Sequence, residues 1–181
     1  MPIIPQDTTV ENSFQLTVDT FFKKLKVDSI LKNCNTYKVK GIPCTQVFKL
    51  ILMLVFTGKN LFMNYESDNP TIPFKKDVVY RMLNSVYINW KKFLYLLSAM
   101  VINHHISSLT DNTRADAFII DDSFFSRTRS KSVELLSQVN DHADGNRSKK
   151  GFRMLTLGWT DGNSFIPVSF NLLVHQILMH S

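Results

Sequence analysis

The sequence predicts an α+β protein, a helical N-terminal half followed by a half built from antiparallel strands. Three observations carry that expectation. Up to about residue 106 the apolar residues recur every three or four positions. From residue 117 they fall in short continuous or alternating stretches, and two of these are joined by Asp161-Gly162-Asn163, a strong hairpin signal. Between the halves, Ser107–Ala115 (SSLTDNTRA) is polar and follows neither period. The expected organisation is a flexible arm at 1–13, a helical region at 14–106, a linker at 107–116 and a strand-bearing region at 117–181.

Within the helical half, Phe14–Lys26 puts Phe14, Val18, Phe21, Phe22 and Leu25 on one helical face, with Lys23, Lys24 and Lys26 off it. Asn33–Pro43 reads as a loop. Thr45 as N-cap and Gly58 as stop bound the next helix, which is apolar nearly all round and so expected at the centre of its subdomain. Its run Val47–Phe56 is too short to span a bilayer, which needs about 20 residues. Gly58–Pro73 is broken by Asn69-Pro70 and Pro73 and reads as a loop. Phe74–Leu83 reads as a short helix exposing Lys75, Lys76 and Arg81. A longer helix from Trp90 to near Ile106 carries Phe93, Leu94, Leu97, Met100 and Val101 on core spacing. Helices joined by short loops, with basic residues on the short ones, suit a DNA-binding unit of the helix-turn-helix kind. His104-His105 at the helix end are better read as surface residues than as metal ligands.

Composition sets bounds. The 181 residues are 44% hydrophobic and 20% charged, so a packed core in one ordinary or two small domains is expected. The net charge of +6 favours polyanionic partners. Cys34 and Cys44 form no CxxC pair and no Cys/His cluster, which argues against a zinc finger. The opening MPIIPQDTTVENS lacks the basic segment of a secretory signal. Both thiols are therefore expected reduced, and the location cytoplasmic.

The strand half opens on Ala117–Phe125, AFIIDDSFF. Apolar residues lead into Asp121 and Asp122. Carboxylates beside a core need a positive partner, and Mg2+, which prefers oxygen ligands, is one such partner. A solvated Asp-Asp-Ser turn is the alternative. Ser126–Lys150 is polar, with a short helix expected at Ser132–Val139. From Ser126 to Arg153, Arg127, Arg129, Lys131, Arg147, Lys149, Lys150 and Arg153 face only Glu134, Asp141 and Asp144, an excess of +4. Most of the chain's net positive excess is thus expected beside the carboxylates, the arrangement a phosphate-cutting site needs. Gly151–Thr160 and Ser164–Leu173 read as paired strands, with Pro167 at a bulge or edge. Asp161 could serve as a second acid, but Asp-Gly between apolar runs already accounts for it as a turn residue.

Taken together, AFIIDDSFFSRTRSKSVELLSQV, the basic loop, and KKGFRMLTLGWTDGNSFIPVSFNLL resemble the start of the catalytic core of bacterial insertion-sequence transposases, DDE class, insertion sequence 4 family. The likeness is tightest from Ala117 to Leu173; the helical half is similar in layout. The resemblance implies an RNase H-like fold, begun here by its first three antiparallel strands and incomplete. It implies cleavage and joining of transposon-end DNA with Mg2+ held by two Asp and one Glu. Residue by residue, the first Asp falls on Asp122, the expected metal ligand, with Asp121 the fallback should the register differ by one. The basic residues from Arg127 to Arg153 would contact DNA. The family's second Asp and its Glu have no counterpart in this sequence, and His175 and His180 offer no convincing substitute. A truncated polypeptide, inactive alone and with weak Mg2+ binding, is therefore expected. Its partners would be double-stranded DNA at transposon ends and, where the sheet is left uncovered, a second copy; no membrane partner is expected. The alternative is a non-catalytic DNA-binding module that occupies transposon ends.

Overall fold

A computed structural model describes residues 8–36, 40–58, 60–65, 72–110, 114–131, 133–141 and 147–173. The chain is α+β and divides into two compact units, residues 1–97 and 98–181.

Unit 1 holds α1 (Thr8–Lys24), α2 (Val27–Asn33), α3 (Cys44–Thr57), α4 (Leu61–Tyr65), α5 (Lys76–Leu83) and most of α6 (Trp90–Val101). The first helix begins at Thr8, inside the segment expected to be a loose arm. It ends at Lys24, just before Lys26, the N-cap of α2, which adopts a left-handed backbone with φ 51° and ψ 39°. That kink lets Val18, Phe22 and Leu25 of the first segment bury alongside Val27, Ile30, Leu31 and Cys34 of the second. Cys34 and Cys44 are both free thiols, and burial pushes the Cys34 thiol up from its ordinary range.

A second cluster gathers Val47 with Phe74, Val79, Met82 and Ile88. Phe48 joins the two, with ring centroids 6.1 Å from Phe22, 4.9 Å from Phe93 and 6.2 Å from Trp90. Two expectations for α3 need correction. Its N-cap is Pro43, and Thr45 instead donates its hydroxyl to Asp28. Its C-terminal end is not central, because Val55 and Phe56 are 74% and 65% exposed. Gly58 does end it, at φ 65°, where a side chain would be strained.

Unit 2 opens on the end of α6, which continues through a π-helical turn at Ile102–Ile106. Its sheet has four antiparallel strands: β1 (Ala117–Ser126), β2 (Ser137–Asp141), β3 (Arg147–Thr160) and β4 (Phe165–Leu173). The long β3 is central. One of its edges pairs with β1, Ala117 opposite Thr160 through Ser126 opposite Gly151. Its other edge is shared end to end by β2, along Arg147–Gly151, and β4, along Arg153–Thr160. Pro167 lies opposite Gly158 at a register shift where β4 carries the extra residue Val168, as expected of proline in a strand.

The helix expected at Ser132–Val139 does not form. A turn at Glu134–Leu135, with Leu135 at φ 63°, leads directly into β2. The free N-terminal half of β3 offers a hydrogen-bonding edge there, and edge pairing overrides a short helical period.

Candidate functional site

β1 is the edge strand, and its outer side pairs with no strand among the described residues. Strand alternation sends Asp121 and Asp122 to opposite faces of the sheet. Asp121, opposite Thr156, shares its face with Ser123, whose hydroxyl donates to it at 2.6 Å. Asp122, opposite Leu155, is gripped by Arg153, which stands one pair further along on the same face. Nη2 of Arg153 donates to one carboxylate oxygen and Nε reaches the other at 3.4 Å. This hydrogen bond raises the guanidinium pKa further. Both side chains are more than one-third exposed, so the pair contributes little stability, roughly 0–1 kcal/mol. It does supply the positive partner that a carboxylate beside apolar strands requires.

The basic residues expected to contact DNA are dispersed. Arg127, Arg129 and Lys131 lie exposed in the connection after β1. Lys149 and Arg153 alternate onto the Asp122 face, whereas Lys150 alternates onto the Asp121 face. The side chain of Arg147 lies outside the described residues. The expected concentration of charge is also corrected. Unit 2 has eight basic residues and eight acidic ones, Asp111, Asp116, Asp121, Asp122 and Asp161 joining the three in the basic loop. Unit 1 has thirteen basic and seven acidic residues, so the whole +6 excess resides there.

Asp161 is a turn residue, and a buried one at 3% exposure. Its Oδ1 accepts the backbone N–H groups of Asn163 at 3.0 Å and Ser164 at 2.6 Å. Its Oδ2 accepts the Thr110 hydroxyl at 2.9 Å and lies 4.0 Å from Nη1 of Arg114. The bond from Ser164, more than any other contact, holds the carboxyl below its ordinary pKa. All of this fastens the segment before β1 to the β3–β4 turn. No sequence periodicity marked Thr110 or Arg114, because both act through a residue some fifty positions away.

The described residues do not fit a two-metal centre. Asp122 is engaged by Arg153, Asp121 faces the other way, and Asp161 is committed to its turn. No group of three or more His, Cys, Asp or Glu side chains converges among the described residues. His104 and His105 are exposed on the π-helical turn; His175 and His180 lie outside the described residues. No described helix is long and apolar enough to cross a membrane.

The sheet is strongly apolar on both faces. Phe118 and Ile120, on the Asp122 face, are 70% and 67% exposed; Ile119 and Phe125, on the other, are 43% and 48% exposed. Strands apolar on both faces are the kind usually covered on both.

No protein-family model, curated protein or solved structure matches the chain.

Removing the Asp161 carboxylate should be costly because it strands several donors at once. Asp161→Ala is expected to lower the melting temperature of the sheet by about 5–10 °C. Its pKa is depressed in the fold, so its contribution is fully present above the unfolded carboxylate value of 3.8. That contribution is lost as pH falls through the lower folded value. The wild-type and Asp161→Ala melting curves should therefore differ at neutral pH and converge in strong acid; a constant gap down to pH 2 would contradict this assignment.

Proposed function

We propose that the protein acts in DNA transposition, as a polypeptide of the DDE transposase class. In this reading unit 1 holds duplex DNA, and unit 2 corresponds to the opening strands of an RNase H-like core with Asp122 as its first carboxylate. The observation that carries the reading is the position of Asp122, midway along β1 and directly beside the β3–β4 hairpin. The spatial order β1–β3–β4 and the open outer edge of β1 agree with such a core. The basic excess of unit 1 suits a polyanion.

Cleavage and joining need more acidic ligands than the described residues bring to the Asp122 face. No chemical step is therefore assigned to this chain alone. Its proposed contribution is DNA binding together with one carboxylate. The Asp122–Arg153 pair favours a second reading, a non-catalytic module that occupies transposon ends, since the carboxylate already has a cation.

Fluorescence anisotropy on a labelled duplex tests the common part. Binding should weaken steeply with salt, log K falling linearly against log salt with a slope of about −0.9 per phosphate contacted. Absence of duplex binding at 50 mM salt would sink both readings. Nicking of the bound duplex upon Mg2+ addition favours the enzyme, and retained binding without nicking favours the module.

A further inference from the structure

The unit that carries the basic excess also contains a groove of about 540 Å3, with three lysines and two aspartates in its lining, where the end of α1, the start of α2 and the first turns of α3 meet. We infer that this groove seats a phosphate of the duplex DNA backbone. The inference deepens the proposed function and rests on it.

The groove has two acids, and each is already satisfied. Asp19 is paired with Lys49, whose bond lowers the Asp19 pKa more than any other contact. Asp28 is paired with Lys32 at 2.6 Å and also accepts the Thr45 hydroxyl; these two bonds, Lys32 first, lower its pKa. Each carboxylate is thus offset by the lysine that binds it. The other two lysines of the groove, Lys23 and Lys26, are exposed on its wall; the charge of Lys23 also acts on Asp19, though less than the bond from Lys49. Ser29 and Gln46 add neutral donors beside them. Lysines in excess of the two carboxylates, flanked by neutral donors, match the requirement of a phosphodiester, which needs charge and hydrogen bonds without base recognition.

Lys26 has a further property. It holds a left-handed backbone that glycine or asparagine would adopt with less strain. The position therefore offers a variant that removes the cation without harming the fold. Lys26→Gly should leave the melting temperature unchanged or higher.

The test uses the whole chain and a labelled duplex of arbitrary sequence. Lys26→Gly combined with Lys23→Gln should reduce the magnitude of the salt slope by about two and weaken binding roughly thirtyfold at 0.15 M salt. The effect should be the same on any duplex sequence, since phosphate contacts do not read bases. Lys91→Gln combined with Lys92→Gln removes the same net charge outside the groove and should change the slope by less than one. Equal effects of the two double variants, or no effect of the first, would overturn the groove while leaving DNA binding by the protein intact. Failure of the wild type to bind any duplex, with capture instead by anionic phosphatidylserine vesicles that is lost in Lys26→Gly, would overturn the DNA reading and this site together.

Discussion

Gly151→Val is expected to dismantle the pairing of β1 with β3. Gly151 is buried on β3, where Ser126 of β1 flanks it on one side and Ser137 of β2 on the other. A Cβ built there would run into the backbone carbonyl oxygen of Phe125 and the ring of Phe124. The ring can turn away; the carbonyl cannot move without shifting the strand. Overpacking of this kind typically costs about 1–3 kcal/mol even where side chains can adjust. Here the adjustment falls on the backbone. Hydrogen exchange reads the outcome directly. Protection of β1 and β3 amides should collapse, while amides of α2 and α3 in unit 1 retain theirs. Gly158→Val provides the contrast, because its added atoms meet chiefly the ring of Phe165, which can rotate. Persistent β3 protection in Gly151→Val would refute the close approach.

The second large effect is expected in unit 1. Leu31 is fully buried between the helices, with no measurable exposure, beside Val27 and Cys34. Truncation to alanine removes the transfer energy of the lost groups and leaves a cavity that fixed helices fill poorly. Such changes cost about 2–5 kcal/mol. For a domain of this size that corresponds to a fall in melting temperature of roughly 10–30 °C. Far-UV circular dichroism at 222 nm follows it; a shift of less than about 5 °C would mean that the α1–α2–α3 core is looser than its burial implies.

Helices α1, α3, α5 and α6 were readable because each carries a 3.6-residue apolar period; α2 and α4, at seven and five residues, are too short to show one, and α4 falls inside the stretch Gly58–Pro73 expected to be a loop. Gly58 ends α3 in the sequence and in the fold alike. The N-cap of α3 was not readable, because Asp28, distant in sequence, takes the Thr45 hydroxyl and Pro43 caps the helix instead. In unit 2 the β3–β4 hairpin was legible from Asp161-Gly162, with Gly162 at φ 90°. The strand β2 was hidden because its short polar segment is recruited by an edge of β3 rather than by its own pattern. The two aspartates stood out in the sequence, and alternation alone separates them onto two faces. Their partners did not stand out: the sequence marks Arg153 only as a DNA contact, and the fold pairs it with Asp122. Likewise the local basic loop suggested where the charge lay, but only the division into units reveals that its surroundings cancel it.

The open side of β1 has one consequence for how copies of this chain meet. Two identical edge strands joining antiparallel, with like faces kept together, must match even-numbered positions with even and odd with odd. The two arrangements that overlap most then centre on Asp121 or on Asp122, so a carboxylate confronts its own image across the seam. Directly opposed like charges disfavour such joining. The acid pair at mid-strand thus acts as a guard against self-templated sheet growth, and neutralising it with Asp121→Asn and Asp122→Asn would remove that guard.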